Sequence, residues 1–297
     1  MQQSKSTGIF ILIAIFLSAC SSQPRVTNLP TSHRFESANL TSVVELVQRL
    51  DEQVPAARIL VVFDIDNTLL AMNTDLGSDQ WYDWQKSLQK ADKCDPRLVA
   101  DRLAAQGALY FAGSMRQTQE DAASIIRKLQ NQGIKVMAET ARGSDFSLPT
   151  FRELRRNQME FSNSSPGSSY GLYTPVGAKR PVLYQDGVYL LAGQHKGDML
   201  LDLLNKAGEP LPMAIIVVDD KDYNLAAYEE TASREGWKLY SLHYTGVDQW
   251  VESFNPDVAT ENWEQVRDAF YQLQTVFGND NFKLPITTNR PECLPAD

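Results

Sequence analysis

Apolar and polar residues follow two different periods along most of the chain. Four short runs are almost continuously apolar, which is typical of strands buried on both faces of a parallel sheet. The segments between them carry apolar residues at helical spacing, for example Ile125, Ile126 and Leu129 before Gly133. Strands and helices therefore alternate, which predicts a doubly wound α/β fold. The four apolar runs are residues 58–63, 134–138, 214–218 and 237–242.

Two connections between these runs are too long to be simple turns. They cover residues 71–113 and 144–193, and the second contains a predicted hairpin around Asp186-Gly187. Long loops in a compact domain are usually functional, and in a parallel sheet ligands bind at the carboxyl ends of the strands. We therefore expect a Rossmann-like core, within a domain covering residues 41–297, with cap elements inserted at these two places.

The first 40 residues differ from the rest of the chain. An apolar run at 9–17, too short to span a bilayer, follows Lys5, which is typical of a secretory signal peptide. The sequence Leu17-Ser18-Ala19-Cys20 resembles the lipobox of bacterial lipoproteins, whose cysteine is lipidated. We expect a signal peptide at 1–19, a lipid on Cys20 and a polar tether at 20–40. The alternative is an ordinary cleaved signal with a chance cysteine.

This leader predicts a protein of the bacterial cell envelope that is attached to a membrane through its lipid. Ser21 after the lipidated cysteine favours sorting to the outer membrane, facing the periplasm or the exterior. Cys94 and Cys293 are the remaining cysteines, and an oxidising compartment permits a disulfide between them. The alternative for this pair is two buried, unpaired thiols.

Composition narrows the class of partner. The hydrophobic fraction is 43% and the charged fraction is 22%, both ordinary for a globular protein. The formal net charge of −9 argues against nucleic acid as a bulk partner, because duplex-binding surfaces are usually basic. A nucleotide substrate remains compatible with this charge.

Acidic pairs follow two of the predicted strands. Asp64 and Asp66 end the first apolar run, and Asp219 and Asp220 end the third. Four carboxylates at neighbouring strand ends repel one another unless a cation neutralises them, and oxygen ligands suit Mg²⁺. The alternatives are solvated acids in a turn and an acidic cap on the following helix.

Two further positions suggest an anionic ligand. Thr140 follows the second apolar run, and its hydroxyl, with the backbone N–H groups of Ala141 and Arg142, suits phosphate oxygens. Lys196 opens a predicted helix, where a cation opposes the helix dipole and therefore points to an anion. A helix cap at Thr140, a surface salt bridge at Arg142 and a surface lysine at 196 are the alternatives.

The order of these motifs resembles the haloacid dehalogenase (HAD) superfamily of hydrolases. The resemblance runs from about residue 57 to 245 and rests mainly on Asp-Ile-Asp-Asn-Thr at 64–68. A lipoprotein with this core resembles the exported acid phosphatases of the superfamily, and the stretch Gly77-Ser78-Asp79-Gln80-Trp81 is more similar to a less characterised branch of its exported proteins. Two departures put the subfamily in doubt. Asn67 stands where an acid or glycine is common, and Asp219-Asp220 lacks a Gly-Asp start.

The resemblance implies a role for each residue. Asp64 would be the nucleophile that forms an aspartyl-phosphate, and Asp66 the general acid and then the general base. Mg²⁺ would be held by Asp64, the backbone carbonyl of Asp66, Asp219 and Asp220, the last directly or through water. Thr140 and Lys196, with the turn at Ala141 and Arg142, would bind phosphoryl oxygens.

We therefore expect an Mg²⁺-dependent phosphomonoesterase that acts outside the cytoplasm on a small phosphorylated substrate. Phosphotransfer to an alcohol uses the same site and stays open. A lipoprotein that keeps this scaffold but acts by binding a partner is a further alternative, as is a purely structural envelope protein. Trp81, Tyr82 and Trp84 are expected to form the core of the first cap, with stacking on a substrate ring as the alternative.

Overall fold

The computed structural model describes residues 32–278, so the predicted leader, Cys20, Ser21 and Cys293 lie outside the described part of the chain. Strands and helices alternate as the apolar pattern predicts. The strands are β1 Ser32–Ser37, β2 Ile59–Phe63, β3 Leu70–Met72, β4 Met115–Gln117, β5 Lys135–Thr140, β6 Gly171–Tyr173, β7 Val182–Gln185, β8 Val188–Leu190, β9 Ala214–Asp219 and β10 Leu239–Tyr244. The α-helices are α1 Thr41–Asp51, α2 Asp79–Ala91, α3 Arg102–Ala112, α4 Ala122–Asn131, α5 Ser147–Arg156, α6 Lys196–Ala207, α7 Asp222–Glu235, α8 Asp248–Glu252 and α9 Pro256–Phe277, with short 3-10 turns at Ala56–Arg58 and Ser144–Phe146.

A mostly parallel sheet forms the centre of the protein. In the described residues its order is β1-β10-β9-β2-β5-β8-β7-β6, and the first six of these strands run parallel. β2 is central, and all five of its side chains are buried, which explains its continuous apolar sequence. This arrangement confirms the prediction of a Rossmann-like, doubly wound α/β core.

Helices cover the sheet. One core cluster joins alternate sheet residues such as Leu60 and Val217 to the apolar stripes of α6 and α7. The other side chains of each strand point to the opposite face. The apolar residues of α1 and α4 are also buried but do not belong to that cluster, and α4 contacts β5.

The amino-terminal strand corrects the predicted tether. Residues 32–37 belong to β1, which pairs with β10 in parallel register, Ser32 opposite Leu239 and Ser37 opposite Tyr244. The tether prediction over 20–40 is therefore wrong for these six residues, and the domain begins before residue 41. Their polar sequence concealed the strand, because an edge strand exposes much of its surface and needs no apolar run.

The first predicted insertion is a helical layer. The chain leaves the core after β3 and returns through β4, which pairs antiparallel with β3, and between them lie α2 and α3. Trp81 is fully buried there and packs against Trp263 of α9. This packing supports the interpretation of the aromatic cluster as cap core, and it adds α9 to that layer.

Only part of the second predicted insertion stands outside the sheet. Within residues 144–193 the helix α5 comes first, but β7 and β8 join the main sheet as the predicted hairpin around Asp186-Gly187. β8 lies parallel to β5, with Thr140 opposite Leu190. The cap prediction is therefore wrong for these strands, because a hairpin signal is local and does not say which sheet receives it.

Two further observations concern the envelope predictions. Cys94 is disulfide-bonded, but Cys293 lies outside the described residues, so the pairing of these two cysteines stays a prediction. Among the helices of residues 32–278, none combines the length and the apolar character that a membrane crossing requires.

Candidate functional site

Asp64, Lys196 and Asp219 meet at the carboxyl ends of the central strands. Asp64 directly follows β2, Asp219 ends the neighbouring β9, and Lys196 is the first residue of α6. The Lys196 ammonium donates hydrogen bonds to Asp64 Oδ1 and to Asp219 Oδ2, each at 2.6 Å. The structure thus brings together one residue from each of three predicted motifs.

Lys196 is buried because of how α6 is packed. The ring of His195 caps the helix by accepting from the backbone N–H of Asp198, and Gly197 lies against α7. A Cβ at Gly197 would stand 2.4 Å from the carbonyl oxygen of Ala227, so no larger residue fits without movement. Burial alone would lower the pKa of Lys196, but Asp219 and Asp64 raise it above its usual value.

Three carboxylates lie close together at this edge, and Lys196 contacts two of them, Asp64 and Asp219. Asp64, Asp219 and Asp220 each offer an oxygen within 4.8 Å of the others. Burial raises the pKa of Asp64 to about 8, with Lys196 opposing and Asp219 adding to the shift. Burial, Asp64 and Asp219 likewise raise the pKa of Asp220 to about 9. Lys196 and Lys221, which lies 3.6 Å from Asp220, offset these carboxylates only in part, so a further positive charge would stabilise the ionised cluster.

The donor set fits a hard divalent cation. The available groups are carboxylate oxygens, which Mg²⁺ prefers to nitrogen or sulfur. Asp219 is oriented by its own neighbours, since its Oδ1 accepts from the backbone N–H of Lys221 and from Asn224 Nδ2, both at 2.9 Å. Fixed side chains of this kind are the normal support of a metal site.

The carboxylate of Asp66 is held by Arg142 and Tyr110 rather than by Lys196. Its Oδ2 accepts from Arg142 Nε at 2.8 Å and its Oδ1 from Arg142 Nη2 at 2.7 Å, a two-point ion pair. The Tyr110 hydroxyl donates to Oδ1 at 3.1 Å, and the Arg142 guanidinium lies 4.4 Å from the Tyr110 ring centroid. Asp66 is thus an acceptor in a preformed network, and Arg142 is buried in a salt bridge rather than exposed at the surface.

The Thr140-Ala141-Arg142 turn lies at the same edge of the sheet, at the end of β5 beside β2. Thr140 is buried, and its hydroxyl accepts from the Arg142 backbone N–H at 3.2 Å. The carbonyl of Ala141 accepts from the backbone N–H of Gly193 at 2.8 Å, which ties this turn to the loop after β8. The turn is therefore in the expected place, with one of its N–H groups already used by Thr140.

The cap helix α2 contributes a residue that the motifs did not identify. Asp79 begins α2, and Lys221 lies 3.2 Å from it, 3.2 Å from Asp83 and 3.6 Å from Asp220. Burial raises the pKa of Asp79 to about 6, with Lys221 opposing and Asp66 adding to the shift. Ser78 caps α2 by accepting from the backbone N–H of Trp81, and this helix-cap residue could have indicated where α2 starts, but only the docking of α2 brings Asp79 to the site.

Glu139 is a second residue missed by sequence reasoning. It is fully buried near the end of β5, and its backbone carbonyl lies 3.4 Å from the Lys196 ammonium. Its carboxyl oxygens make no hydrogen bond of good geometry within the described residues, although Tyr228 lies close enough to lower its pKa against the effect of burial. Burial dominates and raises the pKa of Glu139 to about 8. An acid inside an apolar strand could have been noticed, since buried glutamate is rare.

The fold and this edge together define an α/β protein with a buried cluster of carboxylates around one lysine. The chain matches the model of the family described as "Protein of unknown function (DUF2608)" over residues 38–280, and it belongs to that family. The matched segment covers strands β2 to β10, Lys196 and all the carboxylates of the candidate site.

Curated relatives come from Chlamydia. The chain is 24% identical to a "Putative outer membrane protein" of Chlamydia muridarum (strain MoPn / Nigg), over 67% of this chain and 74% of that protein. It is 23% identical to a protein of the same name from Chlamydia trachomatis serovar D, over 68% of this chain and 75% of that protein.

Proposed function

We propose that this protein is an Mg²⁺-dependent phosphomonoesterase of the HAD type, lipid-anchored in the bacterial cell envelope. The observation that carries the proposal is the position of Lys196 between Asp64 and Asp219 at the carboxyl ends of neighbouring parallel strands. In such sheets, ligands bind at this edge. The cluster has the parts that phosphoryl transfer needs, namely a buried carboxylate, a fixed cation and oxygen ligands for a metal.

The residues divide the chemistry between them. Asp64 attacks phosphorus, the bond from its oxygen to phosphorus forms, and the bond from phosphorus to the leaving oxygen breaks. Lys196 holds the Asp64 carboxylate in place and balances its charge. Mg²⁺ bound by Asp64, Asp219, Asp220 and the Asp66 carbonyl would offset the repulsion between the carboxylate and the phosphate dianion and stabilise the transition-state charge. Water then attacks the aspartyl-phosphate and restores Asp64.

Asp66 delivers a proton to the leaving oxygen and later takes one from water in this scheme. Its ion pair with Arg142 shapes that role, because Arg142 and Tyr110 already donate to both carboxylate oxygens of Asp66, and neither oxygen is then free to donate a proton to a leaving group. Binding of a phosphate group therefore has to draw Arg142 toward the substrate oxygens before Asp66 carries the proton. Arg142 is suited to this exchange because guanidinium pairs equally well with carboxylate and phosphate.

The same ion pair is the observation that favours a second function. If Arg142 stays on Asp66, the proton donor is blocked, and the protein acts as an interaction protein on a HAD-like scaffold. This alternative predicts correct folding and cation binding with no phosphate release. Phosphotransfer differs from hydrolysis only in the acceptor, so adding glycerol as an acceptor and measuring glycerol phosphate separates those two outcomes.

The envelope location rests on separate observations. The lipobox at Leu17–Cys20 predicts a lipid anchor, and the names of both Chlamydia relatives support a place in the envelope. Replacing Cys20 by serine in the full chain should move the protein from the membrane fraction to the soluble fraction. A Ser18→Ala variant is the matched control, since it leaves the lipidated cysteine in place. Equal membrane recovery of both variants would contradict the anchor.

The catalytic proposal is tested by phosphate release from p-nitrophenyl phosphate with Mg²⁺ and with EDTA. We expect release that needs Mg²⁺ and is lost in Asp64→Asn. Asp186→Asn is the matched control, because Asp186 is an exposed residue of the β7–β8 turn. Equal Mg²⁺-dependent release by the Asp64→Asn and Asp186→Asn variants would overturn the assignment of Asp64 as the nucleophile. A folded protein that releases no phosphate would favour the interaction protein.

A further inference from the structure

A cavity of about 490 Å³ opens beside Asp66 between the cap and the phosphate-binding turn. Asp66, Ala141, Arg142 and Gly143 are among its lining residues, and apolar atoms form much of its wall. The wall residues come from the two cap regions and are Tyr82, Leu103, Tyr110, Phe146 and Pro181. Because Asp66 protonates the leaving oxygen in the proposed reaction, this cavity is where the leaving group of a phosphomonoester would lie.

The charged side chains of the cavity are nearly all engaged with the protein itself. Asp66 is paired with Arg142, and Asp79 is paired with Lys221. Asp145 also has an interaction of its own. Their charges are therefore largely compensated before any ligand binds.

Arg180 is the exception. It lines the cavity and is exposed, and within residues 32–278 its guanidinium has no ion-pair or hydrogen-bond partner. The guanidinium lies over the loop after β8, where a Cβ placed on Gly193 would be 3.8 Å from Arg180 Nη1. The backbone N–H of Gly193 in turn donates a hydrogen bond to the carbonyl of Ala141 in the phosphate-binding turn. A cation without a partner in the described part of the chain thus lines the leaving-group cavity.

The backbone of Arg180 is held in position, although its side chain has no partner between residues 32 and 278. Gln194 Oε1 accepts from the N–H groups of Lys179 and Arg180, at 2.9 and 3.3 Å, and Gln194 Nε2 donates to the Arg180 carbonyl at 3.0 Å. The Gln194 side chain, in the loop after β8, therefore fixes the backbone of Lys179 and Arg180. Such positioning lowers the entropy lost when a ligand is bound, which is useful for recognition.

We propose that Arg180 binds a second anionic group on the leaving group of the substrate. The inference rests on the proposed function and narrows its substrate class to phosphomonoesters whose leaving group has an apolar body and a carboxylate or second phosphate. The apolar wall accommodates the body, and Arg180 at the rim pairs with the anion. An arginine offers two parallel N–H donors to either kind of anion.

Two probes that differ by one charge test this assignment. Phenyl phosphate and 3-carboxyphenyl phosphate are titrated calorimetrically, with Mg²⁺ present, into full-length Asp64→Asn protein, which cannot turn them over. We expect the carboxylated probe to bind about 10-fold more tightly, as is typical of one charge-assisted contact. Adding Arg180→Gln should abolish this difference, and adding Lys179→Gln should preserve it, because Lys179 is the exposed neighbour that does not line the cavity.

Three results would overturn the inference. The first is equal affinity for the two probes when Arg180 is present. The second is an Arg180→Gln variant that weakens both probes equally, which would mean that Arg180 contacts the reacting phosphoryl group. The third is no binding of either probe. Phosphate release from phenyl phosphate by protein with Asp64 intact is measured in parallel, so loss of the second anion site and loss of the phosphatase function are told apart.

Discussion

The Lys196 ammonium lies 2.6 Å from an oxygen of Asp64, although 132 positions separate the two residues in the chain. The contact joins the start of α6 to the end of β2 and is almost fully buried, with side-chain exposures of 1% and 7%. Asp219 shares the same ammonium. One lysine therefore serves at least two buried carboxylates, and a network of this kind is stable only while its charges remain matched.

Replacing Lys196 by methionine should destabilise the protein and abolish activity. The change leaves buried carboxylates without their cation, and breaking a buried ion pair on one side typically costs about 3–5 kcal/mol. Urea unfolding in EDTA measures this loss. Lys128→Met on α4 is the control, because Lys128 is exposed and its removal should change the free energy of unfolding by less than about 0.5 kcal/mol. Equal stability of the two variants would contradict the buried network.

The raised pKa of Glu139 predicts that the free energy of unfolding depends on pH. Its pKa is raised from 4.5 to about 8, so the folded protein keeps a proton that the unfolded chain releases between those values. The free energy of unfolding therefore falls as pH rises through this range. Glu139→Gln should flatten the fall, while Glu45→Gln, which alters an exposed glutamate of α1, should leave it unchanged. Unfolding curves at pH 5 and pH 8 check this, and an unaltered slope in Glu139→Gln would count against a protonated Glu139.

Lys221 connects the cap helix α2 to the Asp219-Asp220 motif through Asp79, Asp83 and Asp220. We expect Lys221→Met to lower kcat/KM at least about 10-fold, because a cap helix displaced by even 1 Å misplaces the leaving group. The stability loss should stay near 1 kcal/mol, as for other partly exposed pairs. Lys86→Met, at an exposed position of the cap helix α2, is the control. Unchanged kcat/KM in Lys221→Met would show that the cap is positioned by its apolar packing alone.

The sequence predicted the core and the acidic residues of the site because both depend on local patterns. A strand buried on both faces has to be apolar, so β2 and β9 stand out, and the acids that follow them stand out in turn. Lys196 was identified by its unfavourable place at a helix start. These signals need no knowledge of how distant segments pack.

The rest depends on tertiary packing. Tyr110 and Asp79 reach the site only because α3 and α2 dock over it, and nothing in their own segments specifies that direction. Arg142 likewise pairs with Asp66, and its sequence position did not distinguish this partner from others within reach of an arginine. Strands β1 and β8 were misassigned because strand pairing depends on which edge is available, and this is a property of the assembled sheet.

The central claim is that Asp64 accepts the phosphoryl group, and the most direct test is to trap that intermediate. Protein mixed with p-nitrophenyl phosphate and Mg²⁺ is quenched in acid, reduced with borohydride and analysed by peptide mass spectrometry. Reduction converts a phosphorylated aspartate to homoserine, so we expect homoserine at position 64, with none in EDTA or without substrate. Phosphate release at the full rate with an unmodified Asp64, or with Asp64 replaced by asparagine, would contradict the account.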